Sequence, residues 1–481
     1  MRRPLILIGV LVLLFPLAGY AQDGRAALEG VAKAMGAASV KSIQYSGNGV
    51  NYFVGQSYSP ELPWPRFVVK SYTRAVSYET ASIRDELVRT LGENPQRGGG
   101  AGALAPGGEQ RQNFAARGDF AWNVVGDAIN PAPVALLDRQ LQLWTTPHGV
   151  VKMAMANNAT VQGNTISFAV PGRFRVRATV DSQNLVEKID AVVPNAVLGD
   201  MPVEIRYSDY KDFGGVKFPT KIKQTIGAHP ALELTVSDVQ PNIAVDLAVP
   251  DPIRQTPAPS ARVTSQMVAE GVWFLSGGSH NSALIEMSDH LMLVESPLNE
   301  ERAAAVLAEV KNLVANKPIK YVVATHHHFD HTGGLRAVAA EGVTVIAHDA
   351  NKAFLDKALA APATVNPDRL TKSGKKGTVE VMRDKRVLTD GIRTVELLHI
   401  AGNTHHAGLI MAYLPKEKLL IEADAYTPLP LNAPPPPAAN PFSVNLADNI
   451  KRLNLAVDQV LPLHGRIVPL AELHKAIGHA H

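Results

Sequence analysis

Residues 321–334 read Tyr-Val-Val-Ala-Thr-His-His-His-Phe-Asp-His-Thr-Gly-Gly, an apolar β-branched run that breaks into histidine and aspartate and then into glycine. Histidine is the commonest protein metal ligand, and aspartate partners hard or borderline divalent cations. A solvated histidine tract or tag would sit at a terminus, whereas this one follows a strand-like run in mid-chain. In an extended loop His326 and His328 point to one side and can share an ion, and Asp330 and His331 can face a second position nearby. The chain has no cysteine, so any metal site here is built from histidine and carboxylate.

One loop cannot complete two coordination shells, because zinc takes about four ligands. The rest must come from other strand ends, and His405, Asp424 and His464 are each placed there: before a strand at 408–413, after one at 419–422, and after one at 459–463. Two cations would lower the pKa of a bound water toward neutrality and polarise a carbonyl or phosphoryl oxygen, so no serine or cysteine nucleophile is required.

These elements belong to a region, residues 263–481, where strands and helices alternate in two halves, the pattern of sheets covered by helices in a layered α/β fold. Before it, residues 22–250 are β-rich: Phe174, Val176 and Ala178 alternate with Arg173, Arg175 and Arg177, a strand with one wet face. Helices are expected at 24–36 and 133–144, and a flexible Gly-rich loop at 97–108. The proline-rich stretch 251–262 reads as a semi-rigid extended linker. At the start, Arg2 and Arg3, an apolar run at 5–18 and the small-x-small Gly19, Tyr20, Ala21 make a cleavable export signal, residues 1–21. The run is shorter than the about 20 residues of a membrane span. A periplasmic or secreted location is the expectation. With a formal net charge of +3 and no long single-sign run, nothing points to nucleic acid as a partner.

Thr325, His326, His328, Asp330 and His331 match the T-H-x-H-x-D-H signature of the metallo-β-lactamase fold, and His405, Asp424 and His464 fall in the order in which that superfamily places its later ligands. The chain from 264 onward therefore resembles that superfamily, which implies an αββα sandwich preceded by a mainly antiparallel β domain. By the resemblance, His326, His328 and His405 hold the first of two divalent metal ions, most simply zinc. Asp330, His331 and His464 hold the second, Asp424 bridges them, and a water or hydroxide between the ions is the nucleophile, with Asp330 orienting it. A bridging aspartate is similar to the glyoxalase II and lactonase branches rather than the β-lactam-cleaving one. The implied function is metal-dependent hydrolysis of a small-molecule ester, thioester or lactone. The alternatives are a β-lactamase, a mononuclear iron sulfur dioxygenase on the same fold, and a non-catalytic lipid-binding protein. Tyr426 is a candidate donor to a substrate carbonyl, as in some lactonases. Glu295 stands where relatives carry an aspartate that supports the metal loop. His327 is expected to face outward or to be structural, and His406 to be a strand residue. Residues 207–219 resemble the curved sheets of periplasmic lipoprotein-carrier-like proteins, which implies lipid or another protein as a partner of the N-terminal region, or else a structural or substrate-covering role.

Overall fold

The computed structural model describes residues 17–93, 97–99, 108–255, 261–431, 433 and 438–478. The alternating patterns of the N-terminal region become one antiparallel sheet of 13 strands. Its first strand, Ser42–Tyr52, pairs with its last, His229–Pro241, so the two halves of the chain meet in the middle of the sheet. One face buries Ile43, Val76, Ala178, Ile189 and Phe218 against three helices, Leu17–Ala34, Leu136–Trp144 and Pro147–Ala156. The first two helices were expected, with shifted ends. The third is capped by Thr146, which accepts from Gly149 N–H, and begins with Pro147 at its first position. Most of the expected export signal, residues 1–16, lies outside the described residues. Among the described residues no helix is long and apolar enough to cross a membrane.

The stretch 251–262 differs from the extended linker expected of its prolines. Asp251–Gln255 is a short helix. Its Ile253 is buried against Ala115, Trp122 and Leu247, an apolar anchor that outweighs the extended preference. Residues 256–260 lie outside the described residues.

From Thr264 two sheets stack, one of seven strands and one of six. Their facing sides bury Ile285, Val294, Val323, Ile346, Leu397, Ile421 and Leu461. A second apolar layer joins the outer face of the first sheet (Leu284, Leu293, Val322, Val345) to the helix Glu300–Leu313 and its neighbours. A third joins Leu398, Met411 and Leu420 to the helices Pro441–Arg452 and Leu470–Ala476. Three cores between four layers make the αββα sandwich. The near-continuous apolar strands follow from burial on both faces, each full burial of a large aliphatic side chain contributing about 1.5–3 kcal/mol.

The candidate metal centre

Strand Ile319–Val323 lies parallel between Leu291–Val294 and Thr344–His348. Its C-terminal end runs into an extended segment carrying Thr325 to His328, and then into the short helix Phe329–Thr332. The glycine pair that follows is a matter of space. A Cβ on Gly333 would lie 1.9 Å from Leu298 O, and one on Gly334 would lie 2.3 Å from Ser296 Oγ. Those close approaches seat the histidine loop against the end of the neighbouring strand. Asp424 follows strand Leu419–Glu422 in a turn held by Glu422, whose Oε2 accepts from the N–H groups of Ala425 (3.1 Å) and Tyr426 (3.0 Å). Asp424 itself has φ +63°, a conformation uncommon for a residue other than glycine, of the kind that clusters at functional sites.

The seven residues expected to act as ligands converge. Ligand atoms of His326, His328, His405 and Asp424 lie within 4.8 Å of one another, and so do those of His280, Asp330, His331 and His464. Asp424 reaches both groups. Its Oδ2 is 3.4 Å from His326 Nε2, 3.0 Å from His405 Nε2 and 2.9 Å from His331 Nε2, and its Oδ1 is 2.8 Å from His464 Nε2.

The outer nitrogen of each histidine decides which atom turns inward. Thr325 Oγ1 donates to Glu295 Oε1, so it is left to accept from His326 Nδ1 (2.9 Å). His331 Nδ1 donates to Glu295 Oε2 (2.8 Å), His464 Nδ1 to Ser279 O (3.2 Å), His405 Nδ1 to Gly99 O (2.5 Å) and His328 Nε2 to Ser57 O (2.8 Å). In the neutral rings each hydrogen is thereby placed on the outer nitrogen and each lone pair faces in. The buried His328 Nδ1 has no hydrogen-bond partner. His326 Nε2 and His405 Nε2 face each other at 3.2 Å, as do His331 Nε2 and His464 Nε2 at 3.1 Å. Converging acceptors of this kind ask for positive charge, and the donor set fits divalent cations held by nitrogen and oxygen.

The electrostatics separate the two groups of histidines. Burial opposes charge on Asp424, yet His331 and His405 beside it hold its carboxyl well below the usual range. Burial also opposes charge on His331, but Asp424, Glu295 and Asp330 outweigh it and hold its pKa well above the ordinary value. His464 is raised by Asp424 against the same burial penalty. Burial, reinforced by neighbouring histidines, pushes His326 and His328 well down, so both stay neutral and able to ligate. Asp330 is held low by His331 and by the bond from His280, again against burial.

Glu295 bonds both the threonine and a ligand histidine, with φ +64°. Tyr426, the candidate donor to a substrate carbonyl, is buried. Its ring packs with Leu446, Ile450 and Leu473, and its hydroxyl is pushed up to about 12 by burial and then by Glu472, with Arg466 opposing. The apolar faces of the two C-terminal helices claim the ring. His327 takes the structural of its two expected places, and His406 lies in the loop before strand Ile410–Leu414 rather than in a strand; both are buried and bonded to each other through Nδ1 and Nε2 at 2.5 Å.

Three residues escaped the sequence reading. His280 stands in a glycine–serine loop after strand Val272–Ser276, its Nε2 3.2 Å from Asp330 Oδ2. Gln56 Nε2 donates to Asp330 Oδ1 at 2.7 Å, and Ser57 contacts His327 and His328. His280 could have been found by counting every histidine near a strand end. Gln56 and Ser57 carried no such signal, being hundreds of positions away in a region without chemistry-bearing clusters.

Residues 275–455 match the family model of the metallo-beta-lactamase superfamily. A curated relative is the 2,4-dinitroanisole O-demethylase subunit alpha of Nocardioides sp. (strain JS1661), 27% identical over 167 residues. The match covers 34% of this chain and 46% of that protein, so the chain spans less than half the length of that relative. Solved structures with similarity include a metallo-beta-lactamase from Pontibacter korlensis (19% identity, 45% of this chain and 98% of that one, TM-score 0.35). Another is from Hirschia baltica (20% identity, 45% and 96%, TM-score 0.34). The superfamily fold implies divalent metal binding, and the histidine–aspartate groups supply the means.

Proposed function

We propose, from a chain whose residues 275–455 form a metallo-β-lactamase superfamily domain, that the protein is an exported dinuclear zinc hydrolase cleaving an ester, thioester or lactone bond. The observation that carries this is Asp424, whose two oxygens reach imidazoles of both ligand groups. His326, His328 and His405 would hold one ion, Asp330, His331 and His464 the other, with Asp424 between them. The ions, when bound, supply an activated water at neutral pH and an electrophile for the scissile carbonyl. Asp330 stays a carboxylate, and its side chain is 32% exposed, so it can accept a hydrogen bond from, and thereby orient, a water approaching the second group. His464, 20% exposed, lines the same open side. The basic pair Arg2 and Arg3 before an apolar run supports export.

The test is elemental analysis of the purified protein together with turnover of a lactone, thioester and β-lactam panel on the same sample. Two zinc ions per chain with lactone or thioester cleavage is the expected result. His326→Ala should reduce that turnover at least about 100-fold with far-UV dichroism unchanged. A single iron ion with sulfur oxidation, or β-lactam opening alone, would overturn the assignment.

A further inference from the structure

The first ligand group is not completed by the domain that carries it. Two of its three histidines are oriented by main-chain carbonyls of the N-terminal region: Ser57 O accepts from His328 Nε2, and Gly99 O accepts from His405 Nδ1. The strap that presents Ser57 lies between strands Ser42–Tyr52 and Arg66–Ser77 of the large sheet. It is tied down along its length. Phe329 N–H donates to Gly55 O (3.2 Å), Gln56 Nε2 to Asp330 Oδ1 (2.7 Å) and Ala407 N–H to Tyr58 O (2.9 Å). Gly99 is fixed to the same strap by its N–H on Gln56 O (3.0 Å), and Gly98 N–H donates to Thr404 O (3.0 Å) beside His405.

A buried chain of hydrogen bonds holds Ser57 from the other side. Gly408 N–H donates to His406 Nδ1 at 2.9 Å, which puts the hydrogen of that ring on Nε2. His406 Nε2 therefore donates to His327 Nδ1, and His327 Nε2 is left to donate to Ser57 Oγ at 2.9 Å. The two histidines that do not ligate thus form a fixed polar link from the second sheet to the strap.

We propose that the N-terminal domain is an integral part of the metal centre. Its strap and Gly99 determine which ring nitrogen His328 and His405 present to the first ion, so Ser57 and Gly99 are positioning residues for that site. The inference rests on the metal reading of the site but on no particular substrate. Outer partners of ligating histidines set ligand orientation and basicity, and their loss typically weakens metal binding about 10- to 100-fold.

Gly55 offers a lever on the strap that replaces no ligand residue. Its φ is +77°, and a Cβ there would lie 2.5 Å from Phe329 Cγ, the root of a ring packed between Trp64 and Phe354. Gly118 offers the control: φ is +56°, in a turn between two strands of the same sheet, with nothing within 4 Å of an added Cβ. The full-length chain, stripped of metal, is titrated with Co²⁺ and with Zn²⁺ against a chromophoric chelator, and the Co²⁺ visible spectrum is recorded. Gly55→Ala should weaken the site of His326, His328 and His405 about 10- to 100-fold and alter the Co²⁺ band, while Gly118→Ala binds as the parent does. If Gly55→Ala does not fold, Ser57→Ala, which deletes only the hydroxyl bonded to His327, decides in its place with a weakening in the same direction. Parent affinity and an unchanged Co²⁺ spectrum in the deciding variant would overturn the inference alone. A parent chain that binds neither cation would overturn the metal reading beneath it.

Discussion

At the residue scale, Glu295 is the side chain on which most of the second ligand group turns. It is fully buried, and its two oxygens take hydrogens from Thr325 and from His331. Glutamine at this position keeps the shape but cannot accept on both atoms. If its amide nitrogen faces His331 Nδ1, the imidazole must move its hydrogen to Nε2, the atom aimed at Asp424. If the amide is reversed, its N–H₂ faces a threonine oxygen that His326 already uses. Glu295→Gln should therefore weaken divalent-ion binding about 10- to 100-fold with little change in fold. Competition titration with Zn²⁺ checks this, and parent affinity would show that Glu295 merely fills space. The sequence showed Glu295 where a shorter acid was expected, and its longer arm still reaches both partners. Gln56 and Ser57 were illegible for a different reason: a single polar residue in a loop has no periodicity or spacing, and its partner becomes visible only when the chain is folded.

At the element scale, the helix Pro147–Ala156 carries a buried group that makes the large sheet acid-sensitive. His148 is fully buried, stacked on Phe218 (ring centroids 6.0 Å apart), with Nε2 bonded to Met35 O at 3.1 Å and Nδ1 without a partner. Burial lowers its pKa from 6.5 to about 4. The folded-state value lies below the unfolded one, so the unfolded chain binds the proton more readily. Stability is full above about pH 6.5, falls as pH drops toward 4, and loses about 3 kcal/mol over that window. His148→Gln can keep the bond to Met35 O and cannot titrate. Denaturant unfolding followed by the fluorescence of Trp64, Trp122 and Trp144 should show a shallower pH dependence in the variant. An identical slope would remove His148 as the cause. This helix was not legible in the sequence because its apolar positions, Val150, Val151 and Ala154, make too short a periodic run. The strands around it were legible, because alternation declares itself over a few residues.

At the scale of the whole molecule, the two units touch in more than one place. Asp200 Oδ1 accepts from the N–H groups of Thr364 (2.8 Å) and Val365 (3.0 Å), away from the strap that lies on the histidine loop. The arrangement covers the two ligand groups unequally. His326, His328 and His405 are fully buried and Asp424 is 4% exposed, with Ser57 and Gly99 over two of them. In the second group, the side chains of Asp330 and His464 are 32% and 20% exposed. A chelator must contact an ion through water before it can remove it, so exposed ligands give way first, while the covered group must wait for the strap to open. The sequence could place both sets of ligands at strand ends, but it could not show that one set is roofed by residues hundreds of positions earlier. Treatment of the metal-loaded protein with an excess of EDTA should therefore release metal in two phases, one ion fast and the other slower. Metal released against time, read with a chromophoric indicator, checks it. Release of both ions in one phase would mean that the strap lifts as fast as the open site exchanges. Gly55→Ala, with the strap displaced by the ring of Phe329, should accelerate the slow phase and leave the fast one in place.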